Sequence, residues 1–230
     1  MVMATSFGEP KLKVFPIRPR SPALAGLMQS CLFILAVNWC LQGMRGMDRK
    51  ELSFRLALEL LLALAIAGLL ARFAQPPSAL LLGLLVAHTA SFTLNGQVWV
   101  CARYCRWYRR DPAALDHFLH AAATELRGLP WLREAVCIGS MGRAGVAGGP
   151  RADLDLRLLF PAGVRDWLRV NLLLLRLRAR AFLGRIPLDL YAYERPERLR
   201  RFDQRERLLV LLDRDGRLRA LYPRRAVLWP

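Results

Sequence analysis

Residues 153–156, Asp153-Leu154-Asp155-Leu156, run directly into Arg157-Leu158-Leu159-Phe160 and set the fold expected of this chain. Side chains alternate along a β-strand, so Asp153 and Asp155 project from one face while Leu154 and Leu156 enter a core behind it. Two carboxylates facing one way repel each other, and the arrangement calls for a cation beside them. A pair of Mg2+ ions about 3.5–4 Å apart, clamping the oxygens of a phosphoryl displacement, meets that need, and Mn2+ suits the same hard oxygen ligands. Leu188-Asp189-Leu190 brings a third carboxylate on a second apolar run, with Glu194 as its substitute if the register shifts. Arg157, two residues beyond Asp155, shares the acidic face, where it touches phosphate or pairs with an aspartate. Outward from this strand the patterning predicts a helix over 112–127, a strand over 134–139, a glycine-rich loop, the strand 153–160, a helix over 163–183 and a strand over 186–193. These elements predict an α/β (α+β) fold, a mixed sheet with flanking helices. The bland alternative for the aspartates is an exposed edge strand carrying two solvated carboxylates.

Upstream of the acidic strand stand Gly139-Ser140 and, three residues later, Arg143. The order Gly-Ser, loop, Asp-hydrophobic-Asp-hydrophobic, then a later Asp between hydrophobics resembles the polymerase-beta-type nucleotidyltransferase superfamily over roughly residues 112–193. The resemblance implies that Gly139 and Ser140 hold a triphosphate at the start of a short helix, with Arg143 beside them. A loop entering a helix offers unpaired N–H groups to an anion, which is the physical basis of that role. It implies that Asp153 and Asp155 ligate two metal ions, and that Asp189 supports the one nearer the acceptor and helps to deprotonate it. The implied activity is transfer of NMP from a nucleoside triphosphate to a hydroxyl or phosphate acceptor, releasing pyrophosphate. Such transfer asks for positioning and charge neutralisation rather than covalent chemistry from the protein. Ala144 stands where the family motif often has a second glycine, Ala152 where serine is common, and the loop from Ala144 to Ala152 is longer than in compact members. A non-catalytic adaptor that keeps such a fold to bind a nucleotide or a partner is the second expectation.

The first hundred residues are of another kind. Ser21–Met44 is a run of 24 residues without a charge and Phe73–Ala102 one of 30, and about 20 suffice to cross a bilayer core. Between Arg55 and Arg72 lie 16 residues interrupted only by Glu59, which would cost roughly 2.5–3.5 kcal/mol at a membrane centre and therefore belongs near the interface. The chain divides on this reading into a basic arm (1–20), a hydrophobic helical membrane module (21–102, with segments 21–44, 56–71 and 78–100) and a nucleotidyltransferase-like part (111–230). Arg45, Arg49, Lys50 and Arg55, and Arg103, Arg106, Arg109 and Arg110, favour the cytoplasmic side at both ends of a hairpin made by the second and third segments. Lys11, Lys13, Arg18 and Arg20 favour that side too, so the first segment is expected to lie in the interface or re-enter, with three full spans or a soluble greasy layer as alternatives. A signal peptide is rejected because the basic region is too long and no small-residue cleavage site follows.

Charge and cysteine usage narrow the partners. The net charge of +17 concentrates in the second half, with 26 basic against 14 acidic residues after position 100 and nine against four before it. That suits anionic headgroups or an anionic substrate. Nucleic acid is the weaker partner, because no aromatic single-strand platform accompanies the arginines; a membrane protein or a second copy is a further option. Cysteines 31, 40, 101, 105 and 137 show no disulfide framework and fit a reducing cytoplasm. Cys101-x3-Cys105 with His117-x2-His120 is too tightly spaced for a zinc finger. His88, Thr89, Asn95, Gly96 and Gln97 lie in the third segment, where polar groups at membrane depth are buried in a bundle or functional, holding a lipid or a partner helix, with Asn95-Gly96-Gln97 as a simple exit from the bilayer the alternative. At the C-terminus, Asp213-Arg214-Asp215-Gly216 between two apolar runs predicts a β-hairpin over 206–222.

Overall fold

A computed structural model describes residues 13, 15, 17, 19–42, 44–95, 97–109, 111–138, 152–201 and 207–230. Five strands form one mixed sheet in the order β3-β2-β1-β4-β5: β1 (Glu134–Ile138), β2 (Leu154–Leu159), β3 (Leu188–Tyr193), β4 (Leu208–Asp213) and β5 (Ala226–Leu228). β1 runs antiparallel to both β2 and β4, β2 is parallel to β3, and β4 is parallel to β5. Period-two patterning separates the faces of β2 and β3. Leu154, Leu156, Leu158, Leu188, Leu190 and Ala192 enter the larger core with helices α6 (Pro112–Arg127) and α7 (Val164–Leu183). Leu159, Tyr191 and Tyr193 turn to a smaller core on the opposite face. Helix α6 starts where expected because Asp111 accepts from the Ala113 N–H and Pro112 occupies the first turn.

The hydrophobic region folds into α1 (Pro22–Met28), α2 (Cys31–Leu41), α3 (Arg49–Leu70), α4 (Pro76–Leu94) and α5 (Gln97–Ala102). Helices α3 and α4 are each long and apolar enough to cross a membrane, and α1 with α2 forms a pair bent by 63°, the shape of a broken span or a re-entrant loop. Opposed pairs along α3 and α4 show an antiparallel hairpin: Arg55 with Ser91, Glu59 with His88, Ala63 with Gly83. Its seam is built from small residues, Ala79, Gly83 and Ala87 at every fourth position, all buried, so the backbones approach closely. A Cβ on Gly83 would lie 2.6 Å from the Ala63 carbonyl oxygen.

Helix α3 begins at Arg49, seven residues before the expected start at 56, because Glu51, Arg55 and Glu59 are buried with partners instead of exposed to lipid. Arg55 donates to the backbone and side-chain oxygens of Gln42 at 2.8 and 2.6 Å, and Gln42 donates to the His88 carbonyl at 2.8 Å. Nε2 of His88 lies 2.9 Å from the Trp39 carbonyl, which can only accept, so this nitrogen carries a hydrogen. Nδ1 lies 2.6 Å from Glu59 Oε1, so the carboxyl group has a partner inside the bundle and does not face lipid alone. The 78–100 segment likewise divides, α4 ending at Leu94 and α5 starting at Gln97.

Two sequence expectations are corrected. Cys31 and Cys105 form a disulfide across 74 residues, joining the start of α2 to the turn after α5, whereas the spacing alone offered no framework. The C-terminal hairpin is absent: β4 is followed by helix α8 (Arg217–Leu221), and β5 returns parallel to β4. Asp213 accounts for the change. Its carboxylate accepts from the N–H groups of Leu218 and Arg219 at 3.3 and 3.2 Å, capping a helix start where an Asp-Gly turn was expected to reverse the strand.

Replacing Gly83 by leucine is expected to separate α3 from α4 and lower stability by about 1–3 kcal/mol or more. Thermal unfolding of the detergent-solubilised variant checks this, with Gly68→Leu, a position with nothing within 4 Å of an added Cβ, remaining close to wild type.

Candidate active site

Asp155 and Asp189 each occupy the second position of their strand and are register partners across the parallel pair β2–β3. Leucines on either side of each aspartate face the helices, so both carboxylates emerge on the opposite face of the sheet. Asp153 precedes β2 and is 4% exposed. β2 lies inside the sheet, flanked by β1 and β3, which overturns the alternative of an edge strand with two solvated aspartates. The three acidic residues singled out from sequence are therefore brought together. Gly139, Ser140 and Arg143 lie outside the described residues. Glu194 pairs with Lys50 and leaves the third position to Asp189.

The cations beside these carboxylates come from the protein itself. Arg157, 3% exposed, donates to Asp189 Oδ2 at 2.9 Å and to the Asp189 backbone carbonyl at 2.6 Å, lies 3.6 Å from Asp155 Oδ1, and stacks over the Tyr191 ring at 4.9 Å from its centroid. Arg103, in the turn after α5, pairs with Asp153 and is buried. Sequence reasoning placed Arg103 among the topology-setting charges at the end of a hydrophobic segment. Its signal as a site residue, a buried arginine directly after the cysteine- and alanine-rich end of α5, is not distinguishable from those neighbours without the fold.

Electrostatics follow from burial and count. Burial pushes the Asp155 carboxyl well up, and the nearby Asp153 and Asp189 charges push it further. Burial would raise Asp189 too, but the Arg157 guanidinium and a hydrogen bond from Asp155 outweigh it and hold Asp189 below its usual value. Of the two aspartates, Asp155 is the one whose neutral form is favoured. For both arginines desolvation opposes the charge, and the paired aspartates, Asp153 for Arg103 and Asp189 for Arg157, more than offset it. Three carboxylates face two guanidinium groups, an excess of negative charge that works against ionisation of Asp155.

Oxygen donors of this hardness suit Mg2+ or Mn2+ in kind. Their arrangement is another matter: among the described residues, no group of three or more His, Cys, Asp or Glu side chains is placed to hold a metal ion, and Arg103 and Arg157 pair with Asp153 and Asp189. The side chains of Asp155 and Asp189 are 16% and 21% exposed, against 5% for Asp153, so solvent reaches the cluster from the Asp155–Asp189 side. The cysteine and histidine residues form no alternative centre: Cys105 is in the disulfide, burial raises the Cys101 thiol to about 11, and His120 faces Asp116 at 3.6 Å. Compared with known protein families, with curated proteins and with solved structures, the chain matches none.

Arg157→Met is expected to lower stability by about 3–5 kcal/mol, since it strands buried carboxylates without their cation. Asp155→Asn keeps a hydrogen-bonding group beside Asp189 and removes a group whose ionised form is disfavoured, and is expected to raise the thermal midpoint by about 2–4 °C, equivalent to ~1 kcal/mol in a chain of this size. Melting curves of the two purified variants at neutral pH check both signs.

Proposed function

We propose that this protein is a membrane-anchored, metal-dependent nucleotidyltransferase of the polymerase-beta type, transferring NMP from a nucleoside triphosphate to a hydroxyl or phosphate acceptor with release of pyrophosphate. The observation that carries this reading is the pairing of Asp155 and Asp189 at one register position on adjacent parallel strands, both partly open to solvent, with Asp153 buried two residues upstream. Asp153, Asp155 and Asp189 would hold Mg2+ or Mn2+, which when bound would neutralise triphosphate oxygens and acidify the acceptor. For that, Arg103 would have to leave Asp153 and Asp155 would bind as the carboxylate, while Arg157 would keep Asp189 oriented. Gly139, Ser140 and Arg143 would cradle the phosphates. The membrane helices imply an acceptor in lipid or envelope-glycan metabolism, and the need for a nucleoside triphosphate implies that the sheet faces the cytoplasm.

A second reading, a non-catalytic adaptor that binds a nucleotide or partner, is favoured by one contact, the Arg103–Asp153 ion pair, which neutralises the cluster without any metal. The Cys31–Cys105 disulfide also sits more easily in an oxidising compartment than in the cytoplasm.

Thermal stabilisation of the detergent-purified protein across the four nucleoside triphosphates, with Mg2+ or Mn2+, separates the two. Catalysis predicts metal-dependent stabilisation by at least one triphosphate, about 2.7 kcal/mol at a hundredfold excess over Kd, lost in Asp153→Asn, and reached at lower metal concentration in Arg103→Gln. Stabilisation that is independent of metal and survives Asp153→Asn, or none in the folded protein, selects the adaptor.

A further inference from the structure

Helix α7 presents four faces in rotation, at about 100° per residue. Val170, Leu173, Leu174, Leu177 and Ala181 are buried against the sheet and α6. Next comes the face that meets the hairpin: Trp167 donates to the Lys50 carbonyl at 2.8 Å, Asn171 and Leu175 lie beside Phe54 and Leu58, and Arg178 pairs with Glu51 at 2.6 Å. Beyond it Val164, Leu168 and Leu172 are exposed by 82%, 45% and 53%. Arginines complete the circle, with Arg165, Arg169 and Arg176 on the far edge of that apolar stripe. An exposed row of aliphatic side chains on a soluble surface would be unfavourable.

This stripe is continuous with the lipid-facing surface of the hairpin. Leu58 and Leu94, where α3 and α4 meet α7, are themselves 40% and 50% exposed. A cavity of about 80 Å3 lies along the seam, walled largely by Phe54, Leu58, Leu62, Leu94 and Leu175. At the far end of α7, Leu183 is 80% exposed beside Phe182, whose ring stacks with Trp99, and Trp99 contacts the 62% exposed Trp107. Tryptophans concentrate where a bilayer meets water.

We propose that α7 lies in the membrane interface, its Val164–Leu168–Leu172 stripe dipping into the outer acyl region and its flanking arginines paired with the phosphates of anionic phospholipids. The helix is about 29 Å long at 1.5 Å per residue, an amphipathic element of the kind that beds in the plane of a bilayer. This partner follows from two features: the stripe adjoins helices whose exposed surfaces are largely leucine, and its outer edge carries Arg165, Arg169 and Arg176 against two carboxylates, Asp166 beside Arg169 and Glu125 beside Arg176. A second copy of the chain would leave like-charged arginine edges facing each other. With α7 bedded this way the sheet is held against the membrane surface through two attachments, the hairpin and α7.

The test uses the full chain in nanodiscs, with the photoreactive residue p-benzoylphenylalanine placed singly at Leu168 or Leu172, at Leu62 on the hairpin as the lipid-exposed reference, and at Leu221 on α8 as the aqueous one. Intact-mass analysis after irradiation is expected to show phospholipid adducts at Leu168 and Leu172 within about threefold of the Leu62 yield and none at Leu221. In discs of phosphatidylglycerol, Arg165→Gln with Arg169→Gln is expected to reduce the Leu172 adduct severalfold while leaving Leu62 unchanged. A crosslinked dimer at Leu168 or Leu172 would assign the stripe to a second copy and overturn the proposal. Absence of lipid adducts there, with Leu62 still labelled, would overturn it as well, and equal adducts with and without the arginines would refute the headgroup pairing. None of these readouts involves a nucleotide, so a failure of the nucleotidyl-transfer reading leaves a distinct signature.

Discussion

The guanidinium of Arg178, buried on α7, donates to Glu51 on α3, to the Asn95 side chain after α4, and to the Leu190 carbonyl on β3. β3 is the edge of the sheet, and an uncovered edge would expose unpaired backbone groups. The hairpin covers it: Glu51 also accepts from the Ala192 N–H at 3.3 Å, and Tyr193 donates to the Gly46 carbonyl at 3.2 Å. Gly46 itself lies so close to the Tyr191 ring that no side chain would fit there. A buried pair of this kind is costly to break from one side, since the surviving charge has no solvent to return to. The register of β3, and with it the position of Asp189, therefore depends on charged groups contributed by the hydrophobic half of the chain.

The same dependence extends to the acidic cluster. Arg103 reaches Asp153 because α4 ends at Leu94, α5 turns back over the sheet, and the Cys31–Cys105 disulfide ties the following turn to α2. Three carboxylates gathered together repel one another, and the protein relieves this with two arginines, Arg103 on Asp153 and Arg157 between Asp155 and Asp189. Of the two arginines, Arg157 is held by backbone carbonyls on both β2 and β3, whereas Arg103 meets Asp153 from the turn after α5.

Polar groups within the apolar helices follow one rule. Gln42, Arg55, His88 and Ser91 satisfy each other and the carbonyls of the bent first segment, so the α1–α2 pair is held against the hairpin by hydrogen bonds that cross between segments. Hydrogen bonding, and not apolar contact alone, gives the helices their mutual register, because helix surfaces as apolar as the lipid around them gain little by meeting.

What the sequence by itself determined were features of local periodicity and length. Asp153-Leu154-Asp155-Leu156 and Leu188-Asp189-Leu190 carry their strand alternation in their own residues, the patterning of 112–127 marks a helix, and runs of apolar residues long enough for a bilayer need no partner to be recognised. Those properties depend on neighbours within a few positions. Tertiary structure decided which charges meet. Arg103 and Asp153 are 50 residues apart, Glu51 and Ala192 are 141 apart, and Cys31 finds Cys105 across 74, contacts for which no spacing rule exists. It also decided the C-terminus, where Asp213 could close a hairpin or cap a helix and its carboxylate meets the Leu218 and Arg219 N–H groups, with β5 returning parallel to β4. Local sequence sets the direction in which each side chain leaves the backbone; the partner it meets is set by packing that closes over the whole chain.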